Sequence, residues 1–145
     1  MEKPLKIAIC EDTPADAELL VSYLADAAAR CRVFPSGEAL LAAFAPGKFD
    51  LIFLDIYLGG MKGVEAAAQI RKTDRAVTLA FTTSGPGHAL ESYRLKAASY
   101  LEKPVKREEL KEALFLALAK RAAAARIALL TEGEARTLSV ESILF

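Results

Sequence analysis

Leu5-Lys6-Ile7-Ala8-Ile9-Cys10-Glu11-Asp12 decides the fold: a run of strand length, apolar but for one lysine, that breaks directly onto two carboxylates. A strand with apolar residues on both sides is covered on both faces, which is the habit of parallel sheets. A helix is expected at once. Thr13 is placed to cap it, Pro14 suits its first turn, Asp16 completes a pattern like a capping box, and Ala17, Leu20, Val21, Leu24 and Ala28 recur at helical spacing. The same unit repeats along the chain. Arg32–Phe34 is a short second strand, followed by a helix capped by Ser36 with Leu40, Leu41 and Phe44 on one side, ending at Pro46-Gly47. Phe49–Leu54 is a third apolar run meeting Asp55, and the glycine-rich turn 58–63 leads to a helix carrying Val64, Ala67, Ala68 and Ile70. Val77–Thr82 is a fourth strand, His88–Lys96 a weakly patterned helix, Ser99–Leu101 a fifth strand, and 107–126 a long helix. Five strands alternating with five helices predict a doubly wound α/β domain with one parallel sheet.

The whole chain has 145 residues, 53% of them hydrophobic against 26% charged, so one globular domain fits and disorder or a coiled-coil rod does not. Nineteen basic and nineteen acidic side chains cancel, which leaves no global field for a polyanion or an anionic membrane. The N-terminal stretch MEKPLKIAICED has neither the form of a signal peptide nor the length of a membrane span, so a cytoplasmic protein is expected. Cys10 and Cys31 then read as reduced thiols in the core, too far apart along neighbouring strands, by about five residues of about 3.3 Å each, to bridge.

In such sheets chemistry gathers at the carboxyl ends of the strands. There the reading assembles Glu11 and Asp12, Asp55, Thr83 with Ser84, and Lys103 at one rim. Oxygen-only ligands suit a hard ion such as Mg²⁺, which also relieves the repulsion among the carboxylates. His88 reads as a solvated loop residue, and Lys62, Arg71, Lys72 and Arg75 as a solvated helical face.

With these residues in place the sequence resembles the receiver domains of two-component response regulators, from Lys6 to about Ala119. Ile-Cys-Glu11-Asp12, Phe-Leu-Asp55-Ile, Gly60-Met61-Lys62-Gly63, Phe-Thr-Thr83-Ser84 and Tyr100-Leu-Glu-Lys103-Pro104 carry the resemblance. It implies the flavodoxin-like receiver fold with strand order 2-1-3-4-5. It also implies that Asp55 accepts a phosphoryl group from a sensor histidine kinase, and that Glu11, Asp12, Asp55 and the Tyr57 backbone carbonyl hold Mg²⁺. Thr83 would meet the phosphoryl group, Lys103 would pair with it, Tyr100 would be the aromatic switch, and Lys103-Pro104 would be a cis peptide bond. The domain would be no enzyme beyond its own phosphorylation and dephosphorylation. Gly59 stands where the family usually has proline, and Ser84-Gly85-Pro86-Gly87 replaces a stiffer loop.

Ile127-Ala128-Leu129-Leu130, a turn at 131–134 and the segment 137–145 read as two short strands, similar to the opening of a LytTR DNA-binding domain. The resulting division is a receiver over 1–124, and over 125–145 the start of a truncated LytTR output domain or a linker hairpin. The chain would be part of a LytR/AlgR-type transcriptional regulator, touching DNA only through an output domain beyond these residues, with no membrane partner and with a homodimer left open. The alternative is a stand-alone receiver that signals by protein contacts. A flavodoxin-type cofactor site fails because Glu11 and Asp12 would repel phosphate. An aspartyl phosphatase would want a carboxylate two residues after Asp55, where Tyr57 stands.

Overall fold

The computed structural model describes residues 3–85 and 87–134, without the side chains of 131–134. Within them lie β1 (Leu5–Cys10), α1 (Pro14–Leu24), β2 (Ala29–Phe34), α2 (Gly37–Ala43), β3 (Leu51–Asp55), α3 (Gly63–Thr73), β4 (Thr78–Thr83), α4 (Ala89–Arg94), β5 (Ser99–Glu102) and α5 (Arg107–Glu134). All strand pairings are parallel, in the order β2-β1-β3-β4-β5. The sheet is therefore the doubly wound one that the alternating pattern predicts.

Successive side chains of a strand point to opposite faces, and the core divides accordingly. Ala8, Cys10, Ile52 and Leu54 pack with Leu40, Val64, Ala67 and Ile70 beneath α2 and α3. Ile7, Ile9, Leu51 and Phe53 pack with Leu20, Leu24, Leu110, Ala113 and Ala117 beneath α1 and α5. Burial on both sides is why β1 and β3 carry no alternation of polar residues. Ser36 caps α2 as its position predicts, its hydroxyl accepting from Ala39 N at 3.0 Å.

Several local expectations are corrected. The segment 127–130 is not a strand and 131–134 is not a turn: both continue α5 as helix. The reason lies upstream, in the alanine-rich stretch 119–128, whose helix propensity carries through isoleucine and leucine residues that strands also favour. The reading of a strand pair therefore fails in its first half, and 135–145 lie outside the described residues. The edge strand β2 begins at Ala29, three residues earlier than its apolar stretch suggests, because residues 30–33 face solvent and carry no core pattern. Cys31 is accordingly exposed and not a core residue. It pairs in register with Ile7, three residues from Cys10, and both thiols are free. Helix α4 is shorter than its predicted span, Ala89–Arg94 in place of His88–Lys96.

Candidate functional site

The carboxyl ends of β1, β3 and β5 bring together Glu11, Asp12, Asp55 and Lys103, and the geometry shows why these positions matter. Asp55 is the last residue of β3, only 2% exposed, and its Oδ1 accepts from Tyr57 N at 3.0 Å. Glu11 is equally buried just past β1, where its Oε2 accepts from Thr13 N at 3.2 Å. Asp12 is exposed, and its Oδ2 accepts from Gly59 N at 3.1 Å, which ties the loop after β1 to the loop after β3. Lys103 Nζ donates to Asp55 Oδ2 at 2.9 Å and to Asp16 Oδ2 at 3.0 Å, and lies 2.6 Å from Glu11 Oε1.

Two nearly buried carboxylates beside each other oppose ionisation. Burial, followed by the hydrogen bond and charge of Asp55, pushes the Glu11 carboxyl up to about 7, against the pull of Lys103 and Thr13. On Lys103, burial works against the charge, but the bonds to Glu11, Asp55 and Asp16 outweigh it and hold the ammonium above its ordinary value. Burial, then Asp55 and Glu11, push the Cys10 thiol up to about 12, which makes it a packing residue and no nucleophile.

Three carboxylates, of Glu11, Asp12 and Asp55, each offer an oxygen within 4.8 Å of the others. The set fits a hard divalent cation in chemistry and in need: Glu11 Oε1 is buried and, although in ion-pair contact with Lys103, receives no well-directed hydrogen bond.

The remaining predicted residues are more varied. Thr83 is buried at the end of β4, but its hydroxyl donates to Gly85 O at 2.6 Å and accepts from Gly85 N at 3.1 Å, so it is held by its own loop and not by Asp55. Tyr100 is half-buried in β5, with a hydroxyl that is buried and has no hydrogen-bond partner among the described residues. The Lys103-Pro104 peptide bond is cis. Tyr57 is 40% exposed, and its ring meets His88 edge to face at 5.4 Å and runs past Gly85. His88 is therefore not a solvated loop residue: it precedes α4, packs on Tyr57, and pairs through Nδ1 with Glu91 at 2.7 Å.

Arg71 departs from expectation in the same way. Instead of facing water it donates to the carbonyls of Leu95 at 2.8 Å, Val77 at 2.7 Å, Lys96 at 3.2 Å and Asp74 at 3.3 Å, which stitches the end of α3 to the end of α4.

Asp16 is a further residue that the sequence reading places wrongly. Thr13 makes no side-chain cap bond, so there is no capping box for Asp16 to complete. It turns inward to Lys103, 87 residues away, a separation at which no local pattern gives a signal.

Comparisons with known proteins agree with this fold. The sequence matches the response regulator receiver domain family over residues 7–115. It is 31% identical over 113 residues to the positive alginate biosynthesis regulatory protein of Pseudomonas aeruginosa, covering 76% of this chain and 46% of that protein. It is 31% identical over 86 residues to the sensory transduction protein LytT of Oceanobacillus iheyensis, covering 58% of this chain and 35% of the relative. The chain thus spans less than half the length of these curated relatives. Among solved structures, a CheY-like receiver domain protein of Methanospirillum hungatei superposes with a TM-score of 0.76 at 20% identity, over 83% of this chain and 98% of that one, a likeness of fold. None of the helices among the described residues is long and apolar enough to cross a membrane. The chain belongs to the response regulator receiver domain family.

Proposed function

We propose that this receiver accepts a phosphoryl group on Asp55 from the phosphohistidine of a partner kinase and passes the change to an output module beyond residue 124. One observation carries the reading: the Asp55 carboxylate, buried and bonded to the Lys103 ammonium, sits beside Glu11 and Asp12 at the strand ends. Glu11, Asp12 and Asp55, with the Tyr57 backbone carbonyl, would hold Mg²⁺, whose contribution there is neutralisation of charge on the phosphoryl oxygens. An Asp55 oxygen attacks phosphorus, the phosphorus–nitrogen bond of the donor breaks, and its imidazole leaves with the bonding electrons and takes up a proton. Lys103 balances the charge that this gathers. Phosphorylation turns the Asp55 carboxylate into a group of about −2 charge with three further oxygens, for which the Thr83 hydroxyl must leave Gly85. The β4–α4 loop then follows, and Tyr100 beneath it takes the space.

Relatives named as transcriptional regulatory proteins support an output in transcription; the reading extends this to a module of LytTR type acting in the cytoplasm, to which DNA contact would fall. Incubation with acetyl phosphate and Mg²⁺ should add one phosphoryl group per chain, read by phosphate-affinity electrophoresis. A chain that gains none under conditions where another receiver does would overturn the reading.

The position of Tyr57 bears on how long the acyl phosphate lasts. Hydrolysis needs a water in line with phosphorus, and the Tyr57 ring, packed on His88 and beside Gly85, would stand near that approach. Tyr57→Asn should shorten the phosphoryl lifetime by roughly tenfold, the cost of an unshielded and oriented water. The measurement is decay of the shifted band after acetyl phosphate is removed, and equal decay in the two proteins rejects shielding.

A further inference from the structure

Lys103 is shared in a way that the phosphoacceptor reading, on which this inference rests, does not use. An ammonium has three N–H bonds. Here one is directed at Asp55 Oδ2 and one at Asp16 Oδ2, while Glu11 Oε1 stands at ion-pair distance. The three carboxylates are not equivalent. The side chains of Asp55 and Glu11 are 3% and 1% exposed, whereas that of Asp16 is 39% exposed and sits on the first turn of α1.

Arrival of a phosphoryl group on Asp55 brings new acceptor oxygens to a lysine already directed at two carboxylates, with a third at ion-pair distance. The contact released is the one whose carboxylate loses least by returning to water. Glu11 and Asp55 are nearly closed off from water, and Mg²⁺ and the phosphoryl group would meet them in place. Asp16 is open to water. We infer that Asp16 is a built-in rival of the phosphoryl group for Lys103: it holds the lysine in the resting state and is let go on phosphorylation, so the start of α1 registers the phosphoryl group as well as the β4–α4 loop.

Two consequences separate this role from a merely structural ion pair. Loss of the Asp16 charge should favour the loaded state, because Glu11 and Asp55 keep Lys103 aimed while one negative charge near the incoming dianion disappears. At a separation of several ångströms in a partly solvated site, that is a gain on the order of five- to tenfold in affinity for a phosphoryl mimic. The first turn of α1, where the Asp16 and Ala17 amides donate to Thr13 O at 3.1 Å, should also loosen when the mimic binds.

The experiment is calorimetric titration of the whole chain with beryllofluoride in the presence of Mg²⁺, for the wild type, Asp16→Asn, Asp16→Glu and Glu18→Gln. Glu18 lies exposed on the same helix and removes an equal charge without touching Lys103. Asp16→Asn should bind five- to tenfold more tightly, with Asp16→Glu and Glu18→Gln close to wild type. The nitrogen shift of the Lys103 ammonium should change in Asp16→Asn before any mimic is added. Amide exchange at residues 16 and 17 should quicken on binding in the wild type and in Glu18→Gln but not in Asp16→Asn. Unchanged or weaker binding by Asp16→Asn, or an equal gain in Glu18→Gln, overturns the inference and leaves the phosphoacceptor reading standing. A wild-type chain that binds no beryllofluoride sinks that reading, and this one with it.

Discussion

Asp55→Asn should take up no phosphoryl group from acetyl phosphate while the chain stays folded. The carboxamide matches the carboxylate in shape but has no anionic oxygen to attack phosphorus, so the loss is of the reaction itself and should exceed a thousandfold. Two opposing effects act on stability. The native carboxylate accepts from Tyr57 N at 3.0 Å and from Lys103 at 2.9 Å. A carboxamide has one oxygen for these two donors, and a charged hydrogen bond is worth about 1.5–3 kcal/mol. Against that, the substitution removes the Asp55 charge, which adds to burial and to the Asp55 hydrogen bond in pushing Glu11 up to about 7. The Glu11 carboxyl should then titrate lower, nearer the ordinary carboxylate range, which carbon NMR of the side chain can follow. Phosphoryl uptake by Asp55→Asn at the wild-type rate would show that another residue is the acceptor. An unmoved Glu11 titration would show that the two carboxylates are not coupled as the geometry requires.

Gly63→Ala should be the most damaging small substitution in the domain, costing on the order of 3 kcal/mol. Gly63 opens α3 and donates its N–H to Ile56 O at 3.0 Å, which draws the helix onto the end of β3. A methyl group there would run into the Asp55 carbonyl oxygen, and would lie 2.8 Å from the Asp55 carbonyl carbon and 3.0 Å from Ile56 Cα. All three obstacles are backbone atoms, so no rotamer change clears them. Either α3 moves away from the sheet and opens the core around Val64 and Ala67, or β3 twists and takes Asp55 out of line. At roughly 4 °C of melting temperature per kcal/mol for a domain of this size, the expected fall is on the order of 10 °C. Gly59→Ala is the contrast. Its nearest obstacle would be an Asp12 oxygen at 3.8 Å, and its φ lies outside the left-handed region. A modest gain, of about 0.4–1 kcal/mol from a stiffer unfolded chain, is expected. Thermal unfolding followed by circular dichroism decides both, and a Gly63→Ala protein melting within about 3 °C of wild type would refute the close approach.

What the sequence made legible follows from what each residue touches. Buried strands declare themselves because both faces must be apolar, and so β1 and β3 stand out with their terminal carboxylates attached. The same logic hides β2, whose outward residues Arg30, Cys31 and Arg32 answer to water and leave only Phe34 as a core signal. The end of α5 was misread because Ile127, Leu129 and Leu130 satisfy helical and strand preferences alike, and what decides between them is the alanine-rich helix they extend. Gly63 lies within a recognisable motif, but the carbonyl it must clear is visible only in three dimensions. Asp16, Arg71 and His88 have in common that their partners are backbone carbonyls or side chains set by tertiary packing. A charged residue on a helix gives no sign of whether it faces solvent or turns in.

The Arg71 clasp settles how α4 is free to travel. At its carboxyl end the helix runs into Lys96, held at φ 57° with its carbonyl and that of Leu95 gripped by the guanidinium. At its amino end it follows Gly87, at φ 113°, a conformation that suits glycine, and His88 ties it to the rest of the site through a ring contact with Tyr57. A rod gripped by a guanidinium at one end and by a single ring contact at the other would pivot and not slide. Six residues of helix are about 9 Å long, so a swing of about 15° about the Arg71 anchor carries the amino end roughly 2 Å while the carboxyl end stays in place. Motion is thus graded along the element. Leu90, at 61% exposure near the swinging end, should change its surroundings far more than Tyr93, at 80% exposure near the anchor.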